Sequence, residues 1–151
     1  DAGVDVLTLP DHATGDLGSS EYYRRFLLEL HQELNEALPV PIILHICGKT
    51  TDRMPYIAET GMAAFHFDSK NDPVEAMAAV DGKIRLVGNI NNPTTLYARG
   101  PEEVRIEVNA ALDAGVQLIA PECAIPLKTK LENLLEIPVA IEDWIAEHDK
   151  N

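Results

Sequence analysis

Three side chains that commonly bind metal ions stand where two apolar runs of the sequence end. Residues 41–48 read PIILHICG, which places His45 and Cys47 two positions apart at the close of a strand-like run. Residues i and i+2 of an extended strand point to the same face, so this imidazole and this thiol face the same way. Cys123 closes a second apolar run, VQLIAPEC at residues 116–123. Because catalytic zinc sites use three protein ligands and keep one position open, the pattern predicts that the three residues meet on one zinc ion.

Two other interpretations of the cysteines stay open at this point. Cys47 and Cys123 could form a structural disulfide, although the rest of the chain lacks the character of a secreted disulfide scaffold. They could also be small buried side chains, with His45 as a hydrogen-bonded core histidine, because free cysteine is among the most buried residue types. The zinc site is favoured because both cysteines end apolar runs and one has a histidine beside it.

The composition indicates one globular domain with an acidic surface. The chain has 151 residues, 46% of them hydrophobic, which is enough for a core. Its 12 basic and 25 acidic residues give a formal charge of −13, which argues against nucleic acid or an anionic membrane as a partner. The sequence contains neither an apolar run of the roughly 20 residues that span a bilayer nor a signal-peptide pattern, so a cytoplasmic protein is expected.

Short strand-like runs alternate with helical patterns along the chain. A glycine of the type that ends a helix precedes four of the runs, and Pro39, which cannot continue a helix, precedes the fifth. The predicted strands are residues 4–7, 40–44, 62–65, 83–86 and 116–119. The predicted helices are residues 20–37, 52–59, 72–80, 101–113 and 129–147, with Pro138 interrupting or kinking the last. The apolar residues of the first helix recur at three- and four-residue spacing, at Phe26, Leu27, Leu30, Leu34 and Leu38.

Five strand–helix units indicate a parallel sheet, which either a doubly wound fold or a barrel would contain. The polar residues that follow the strands favour the barrel, because the carboxyl ends of the strands of a (β/α)8 barrel surround a single site. These residues are Asp11 and His12, His45 and Cys47, Asp68, Asn89, and Cys123. Eight units need about 250 residues. The chain is therefore expected to cover about the last five units of a (β/α)8 TIM barrel, with the missing strands before Asp1.

Four further residues at strand ends are candidates for the site. Asp68 is expected to fill a fourth metal position that a substrate displaces, or else to cap the following helix or lie in solvent. Glu122, beside Cys123, is a weaker candidate. Asn89 is expected to position backbone or donate an amide hydrogen bond at the rim of the site, unless it only forms a turn. His12 is a candidate because it directly follows a strand.

The remaining histidines are expected to be structural or to lie on the surface. His31 belongs to a predicted helix, and His148 is close to the end of the chain. His66 alternates with Phe65 and Phe67, and we expect it to face away from the site.

Three segments of the chain together resemble the uroporphyrinogen decarboxylase superfamily. They are residues 41–48, residues 88–90 (GNI), and residues 120–126 (APECAIP) with Glu132 and Asn133 following. Within that superfamily the chain is most similar to the zinc-dependent, corrinoid-linked methyltransferases, which include the methylcobamide:coenzyme M methyltransferases. The resemblance covers residues 1–151 and corresponds to the C-terminal half to two-thirds of a single barrel domain.

The resemblance implies roles for particular residues. His45, Cys47 and Cys123 match the zinc motif of the family, and an acid that is a further ligand in some members falls near Asp68, where this chain has aspartate instead of glutamate. Asp11 and His12 lie where the family has polar active-site residues.

The resemblance also implies an activity and partners. The expected reaction moves a methyl group from a methylated corrinoid, carried by a partner protein, to a small thiol such as coenzyme M. The N-terminal half of the barrel, or another chain, is expected to complete the fold. The near alternative is a decarboxylase, but that branch has a histidine at the position of Cys123, lacks the His-x-Cys pair and needs no metal. A third possibility is a non-catalytic module that binds a corrinoid or a tetrapyrrole.

Overall fold

A computed structural model of the protein describes residues 3–148, in which five strands alternate with helices. The strands are β1 (Leu7–Asp11), β2 (Ile42–Ile46), β3 (Ala64–Phe67), β4 (Arg85–Ile90) and β5 (Leu118–Pro121). The helices are α1 (Ser20–Phe26), α2 (Leu28–Ala37), α3 (Met54–Ile57), α4 (Pro73–Val80), α5 (Pro101–Asp113) and α6 (Leu131–His148). A 3₁₀ turn (Thr51–Arg53) precedes α3, and a π-helical turn (Asn92–Leu96) follows β4.

The five strands form one parallel sheet in the order β1-β2-β3-β4-β5. Each strand therefore pairs with the strand that follows it in the chain, without a change of direction. A doubly wound sheet reverses its strand order at a switch point, whereas a (β/α)8 barrel keeps the sequential order. The order agrees with the prediction of a barrel.

The helices cover one face of this sheet, and the core lies between the two layers. On β2 the residues Ile42, Leu44 and Ile46 are at most 1% exposed, whereas the alternate residues Ile43 and His45 are only partly buried. A second group of buried residues packs α5 and α6 against the end of β4, around Ile90, Leu96, Val104, Val108, Ile137 and Ala140. The face of the sheet that carries His45 is consequently the one that a closed barrel would enclose.

Local signals position the helix that follows β3. The Asp72 carboxylate accepts hydrogen bonds from the backbone N–H groups of Val74 (2.9 Å) and Glu75 (3.0 Å), and Pro73 occupies the first helical position. Both features stabilise a helix start. The helix ends at Val80, and the next residue, Asp81, adopts the left-handed conformation.

All five strands begin two or three residues later than predicted, and the helix expected at residues 52–59 is a 3₁₀ turn followed by the four-residue α3. The helix expected at residues 20–37 is divided at Leu27 into α1 and α2, and the Tyr23 hydroxyl reaches the His31 ring across this break. Strand β1 lies at Leu7–Asp11 instead of residues 4–7, because its register follows β2, with Leu9 opposite Leu44. Pro138 lies inside α6, so it does not interrupt the helix, and the alternative that it kinks the helix stays a prediction.

Apolar side chains are exposed along both margins of the sheet. Next to β1, the residues Phe26, Leu30, Leu34 and Leu38 are 38–52% exposed although they form the periodic apolar positions of the sequence. Next to β5, Leu131 and Leu135 of α6 are 68% and 56% exposed. Among the described residues, β1 and β5 each pair with a single strand, so both margins are open. Within residues 3–148 the structure has no helix that combines the length and the apolar character needed to cross a membrane.

Candidate metal centre

The carboxyl ends of β2 and β5 bring His45, Cys47 and Cys123 together. His45 lies within β2, Cys47 directly follows it, and Cys123 stands two residues after β5. The His45 Nε2 atom is 3.1 Å from the Cys47 Sγ atom, which is 3.1 Å from the Cys123 Sγ atom. The three potential ligand atoms all lie within 4.8 Å of one another. Both cysteines are free thiols, so a structural disulfide is not formed.

The contact between the two sulfur atoms depends on the curvature of the sheet. Strands β3 and β4 lie between β2 and β5. In a flat sheet, three strand spacings of about 4.8 Å would separate β2 from β5 by about 14 Å. The side chain of His66 crosses two of these three spacings, because its Nε2 atom on β3 donates to the Pro121 carbonyl of β5 at 2.7 Å. The sheet therefore curls around the face that carries these residues, as the wall of a barrel does.

The donor set fits a zinc ion. One imidazole nitrogen and two thiol sulfurs are the ligands that zinc prefers, and three protein ligands leave a tetrahedral ion one free position. Two sulfurs at Zn–S distances of about 2.3 Å are about 3.8 Å apart in a tetrahedral site. The two Sγ atoms, at 3.1 Å, would have to separate by less than one ångström to reach this arrangement. His45, Cys47 and Cys123 can thus hold the ion with a small local adjustment.

Burial opposes the charged forms of His45 and Cys47. Burial, followed by the hydrogen bond to Cys123, raises the pKa of Cys47 to about 12. Burial lowers the pKa values of His45 and His66 below their usual range. Desolvation disfavours the charged form of each group, which is protonated for histidine and deprotonated for cysteine. A bound cation would reverse this balance for the thiols, since a coordinating thiol loses its proton.

His66 faces the site, so the prediction that it faces away is wrong. It stands opposite His45 in the register of β2 and β3, and the two ring centroids are 4.6 Å apart. Phe65 and Phe67 are fully buried in the layer between sheet and helices. Because neighbouring residues of a strand point to opposite faces, the histidine between the two phenylalanines points into the barrel. The alternation in the sequence contained this signal, but the large aromatic residues belong to the helix-covered face.

Two buried carboxylates hold the loops that carry the cysteines. Asp68 accepts hydrogen bonds from the backbone N–H groups of Gly48 (2.8 Å) and Lys70 (2.9 Å). Glu122 accepts from the N–H groups of Ser69 (2.9 Å) and Asn92 (3.0 Å). Both carboxylates are less than 10% exposed. Asp68 is not part of the three-residue group, and its role as a fourth ligand stays a prediction.

Asp11 lies on the helix-covered side of the sheet. Its register partner is the buried Ile46, and its carboxylate is 3.0 Å from the Nε2 atom of His31. The Nδ1 atom of His31 is in turn 2.7 Å from the Tyr23 hydroxyl. The hydrogen bond to His31 lowers the pKa of Asp11 below its ordinary value. His31 is 4% exposed and joins β1 to α1 and α2, which is the structural role expected for it.

His12 and Asn89 also stand at strand ends, where the sequence predicts them. His12 is exposed and, with Asp11, lines an open cleft of about 310 Å³ between the end of β1 and α1. Asn89 is 9% exposed, and its amide donates to the Asn71 carbonyl at 3.0 Å, so it supports the loop after β3. His148 lies outside the site and stacks on Trp144 at 4.0 Å between ring centroids.

Comparison with known proteins links this chain to methyltransferases. It is 32% identical over 148 residues to the methylcobamide:CoM methyltransferase MtaA of Methanosarcina barkeri. The aligned region covers 97% of this chain and 44% of that protein. The chain is 32% identical over 134 residues to a methylated-thiol–coenzyme M methyltransferase of Methanosarcina mazei, which covers 87% of this chain and 36% of that protein. The solved structure of a methyltransferase from Methanosarcina mazei superposes with a TM-score of 0.90 at 29% identity, and it covers 95% of this chain and 43% of that one. The chain thus spans less than half the length of these relatives, which is less than the half to two-thirds expected from the sequence.

The decarboxylases that give the family its name are also related to the chain. A uroporphyrinogen decarboxylase of Cellvibrio japonicus is 34% identical over 122 residues, which covers 75% of this chain and 33% of that protein. The family model described as uroporphyrinogen decarboxylase (URO-D) matches residues 1–144. The predicted resemblance and the predicted partial (β/α)8 barrel are thereby confirmed. The chain belongs to the uroporphyrinogen decarboxylase family.

Proposed function

We propose that the protein is a zinc-dependent methyltransferase that moves a methyl group from a methylated corrinoid to a thiol such as coenzyme M. The observation that supports this most directly is the convergence of His45 Nε2, Cys47 Sγ and Cys123 Sγ within 4.8 Å. The names of the methyltransferase relatives supply the reaction class and the two substrates.

The proposed chemistry requires few groups of the protein. Zinc, when bound, supplies a positive charge and an open position that lower the pKa of an incoming thiol. His45, Cys47 and Cys123 would hold the ion, and the two cysteine sulfurs would keep it electron-rich, so that the acceptor sulfur would stay nucleophilic. A lone pair of that sulfur forms the new S–C bond to the methyl group. The Co–C bond breaks with both electrons remaining on the corrinoid, which becomes Co(I), and the thiol proton leaves to solvent.

Further residues have proposed roles at the barrel mouth. Asp68 is proposed as a carboxylate next to the metal, and His12 as a polar residue near the reacting groups. Asp11, whose carboxylate binds His31 and the Ala13 N–H group on the helix-covered side, is proposed to hold the end of β1 that carries His12. Asn89 is proposed to contribute to binding of the cofactor through the loop after β3, which its amide supports.

The proposal includes partners and a location. A corrinoid protein would dock over the carboxyl ends of the strands, where the three ligands lie. The open margins at β1 and β5 and the exposed apolar residues of α2 and α6 support completion of the barrel by an N-terminal half or by another chain. The protein is proposed to act in one-carbon metabolism in the cytoplasm.

Metal analysis and a methyl-transfer assay test the proposal together. The protein, with any natural sequence that flanks residues 1–151, should contain about one zinc ion per chain and methylate coenzyme M from methylcobalamin. Cys47→Ala and Cys123→Ala should each lose the metal and the activity. His148→Ala, which removes an exposed histidine outside the site, is the control and should retain both. Full metal content in both cysteine variants would refute the proposed centre.

The decarboxylase alternative rests on the relative from Cellvibrio japonicus. It predicts turnover of uroporphyrinogen by protein from which a chelator has removed all metal. Binding of a cobamide without methyl transfer to any thiol would instead indicate a non-catalytic module.

A further inference from the structure

The loops that carry the two cysteines are joined through consecutive residues of a third loop. The backbone N–H of Gly48, which follows Cys47, donates to the Asp68 carboxylate. The backbone N–H of Ser69, which follows Asp68, donates to the carboxylate of Glu122, which precedes Cys123. The loop after β3 therefore connects the two loops that carry the cysteines, although it contributes no member of the three-residue group.

Glu122 binds the loops after β3 and β4 at the same time. Its two carboxylate oxygens accept from Ser69 after β3 and from Asn92 after β4, at 2.9 and 3.0 Å. Its own backbone N–H donates to the Ile90 carbonyl at 2.9 Å. With 6% exposure, the carboxylate has little access to water as an alternative partner. Loss of the bond from Asn92 would leave a buried N–H group unpaired, which a folded protein avoids by moving the backbone. The bond from Ser69 is only partly buried.

The residues on both sides of Cys123 are fixed as well. The carbonyl of Pro121 accepts from the His66 ring at 2.7 Å, and the carbonyl of Ala124 accepts from the Asn92 amide at 2.9 Å. The Asn92 side chain thus binds the loop that carries Cys123, and the Glu122 carboxylate binds the backbone N–H of Asn92. The position of the Cys123 sulfur depends on this set of contacts, because Cys123 itself lies outside any strand or helix.

We propose that Glu122 is a positioning residue that sets the distance between the Cys47 and Cys123 sulfur atoms by binding the Cys123 loop to the loops after β3 and β4. The inference rests on the proposed metal centre. It assigns Glu122 no contact with the ion or with a substrate. Residues that orient metal ligands from behind typically change metal affinity about 10–100-fold when they are replaced.

Two substitutions separate positioning from charge. Glu122→Gln keeps the size of the side chain but sets an NH₂ group against one of the two backbone N–H donors. Glu122→Asp keeps the charge but is one methylene shorter, so it cannot reach both donors at their present distances. A positioning role predicts that both variants weaken metal binding, whereas a purely electrostatic role predicts that Glu122→Asp binds as the wild type does.

Glu107→Gln is the matched control. The Glu107 carboxylate also accepts a loop N–H group, that of Asn91 at 2.8 Å, together with the Thr95 hydroxyl. It lies on α5 and supports the loop after β4, which carries no cysteine. The control therefore loses a comparable hydrogen bond without directly releasing the Cys123 loop.

Zn²⁺ affinity, measured by competition with a chromophoric chelator, and the visible spectrum of the Co²⁺-substituted protein test the inference on the protein with its natural flanking sequence. We expect about 10–100-fold weaker Zn²⁺ binding and altered Co²⁺ bands in both Glu122 variants, and less than about threefold weakening in Glu107→Gln. Thermal unfolding of each variant establishes that it is folded at the temperature of the titration.

The outcomes distinguish this inference from the proposed function. Wild-type protein that binds neither Zn²⁺ nor Co²⁺ overturns the metal centre and the inference with it. Wild-type binding with unchanged affinity in Glu122→Gln, or in Glu122→Asp, overturns the positioning role alone. If Glu122→Gln does not fold, the same comparison is made with Glu122→Asp.

Discussion

Substitution of Gly48, which directly follows Cys47, tests how closely the site depends on its loop geometry. Gly48 has φ of +79°, and a Cβ atom there would overlap the Thr14 hydroxyl and lie 3.1 Å from an Asp16 carboxylate oxygen. Gly82 is the matched control, because it has a similar φ of +69° but no heavy atom within 4 Å of its added Cβ. The two Gly→Ala variants therefore share the backbone strain and differ in the steric overlap.

The two contributions can be estimated separately. A left-handed conformation costs a non-glycine residue about 1–2 kcal/mol, which is the expected loss of unfolding free energy for Gly82→Ala. Forcing an extra carbon into an occupied space adds about 1–3 kcal/mol, so Gly48→Ala should lose about 2–5 kcal/mol in total. For a domain of this size, each kcal/mol lowers the unfolding midpoint by about 2–4 °C.

The metal affinity gives the second readout. The methyl group of Gly48→Ala displaces the residue whose N–H binds Asp68, and it should thereby move the Cys47 sulfur. We expect Zn²⁺ binding to weaken about tenfold or more in Gly48→Ala and to be unchanged in Gly82→Ala. Denaturant unfolding and chelator competition on both variants supply the measurements. Equal losses of stability in the two variants, or wild-type Zn²⁺ affinity in Gly48→Ala, would refute the reasoning.

Two further predictions concern pH. Because burial raises the pKa of Cys47 to about 12, zinc must displace the thiol proton when it binds at neutral pH. The Zn²⁺ affinity should therefore rise between about pH 6 and 9, and the calorimetric heat of Zn²⁺ binding should depend on the ionisation enthalpy of the buffer. A Zn²⁺ affinity and a heat of binding that do not vary with pH would contradict this. The hydrogen bond to His31 lowers the pKa of Asp11 below its ordinary value of 3.8. The ionised carboxylate therefore stabilises the folded protein above pH 3.8, and this contribution is lost as the pH falls through the pKa of Asp11 in the folded state. The unfolding free energy of the wild type should therefore decline more steeply below about pH 4 than that of Asp11→Asn. Denaturant titrations at several pH values measure this difference. Parallel declines in the two proteins would show that the Asp11–His31 pair makes no such contribution.

Much of the local structure follows from the sequence. The alternation of strands and helices, the start of α4 at Pro73 after Asp72, and the start of α5 at Pro101 all depend on neighbouring residues and were predictable. The common face of His45 and Cys47 follows from the two-residue period of a strand. The division of the first long helix at Leu27 was not predictable, because it accompanies contacts of Tyr23 and His31 within the core.

The surroundings of the site were less accessible. The sequence placed Glu122 beside Cys123, but its two N–H donors come from loops 53 and 30 residues away. The orientation of His66 was misjudged because alternation shows that a histidine and its neighbours face opposite ways, without showing which face the helices cover. That choice depends on the packing of Phe65 and Phe67 against the helix layer.

By itself the sequence determined the residue types of the candidate metal centre, their positions at strand ends and the parallel order of the units, because each of these follows from short-range chemistry. Only the tertiary structure decided that Cys47 and Cys123 meet. Strands β3 and β4 separate their strands, and only a curled sheet closes an interval of about 14 Å to a sulfur–sulfur contact of 3.1 Å. Curvature arises from the packing of all five strands and their helices together, so no single segment of the chain encodes it.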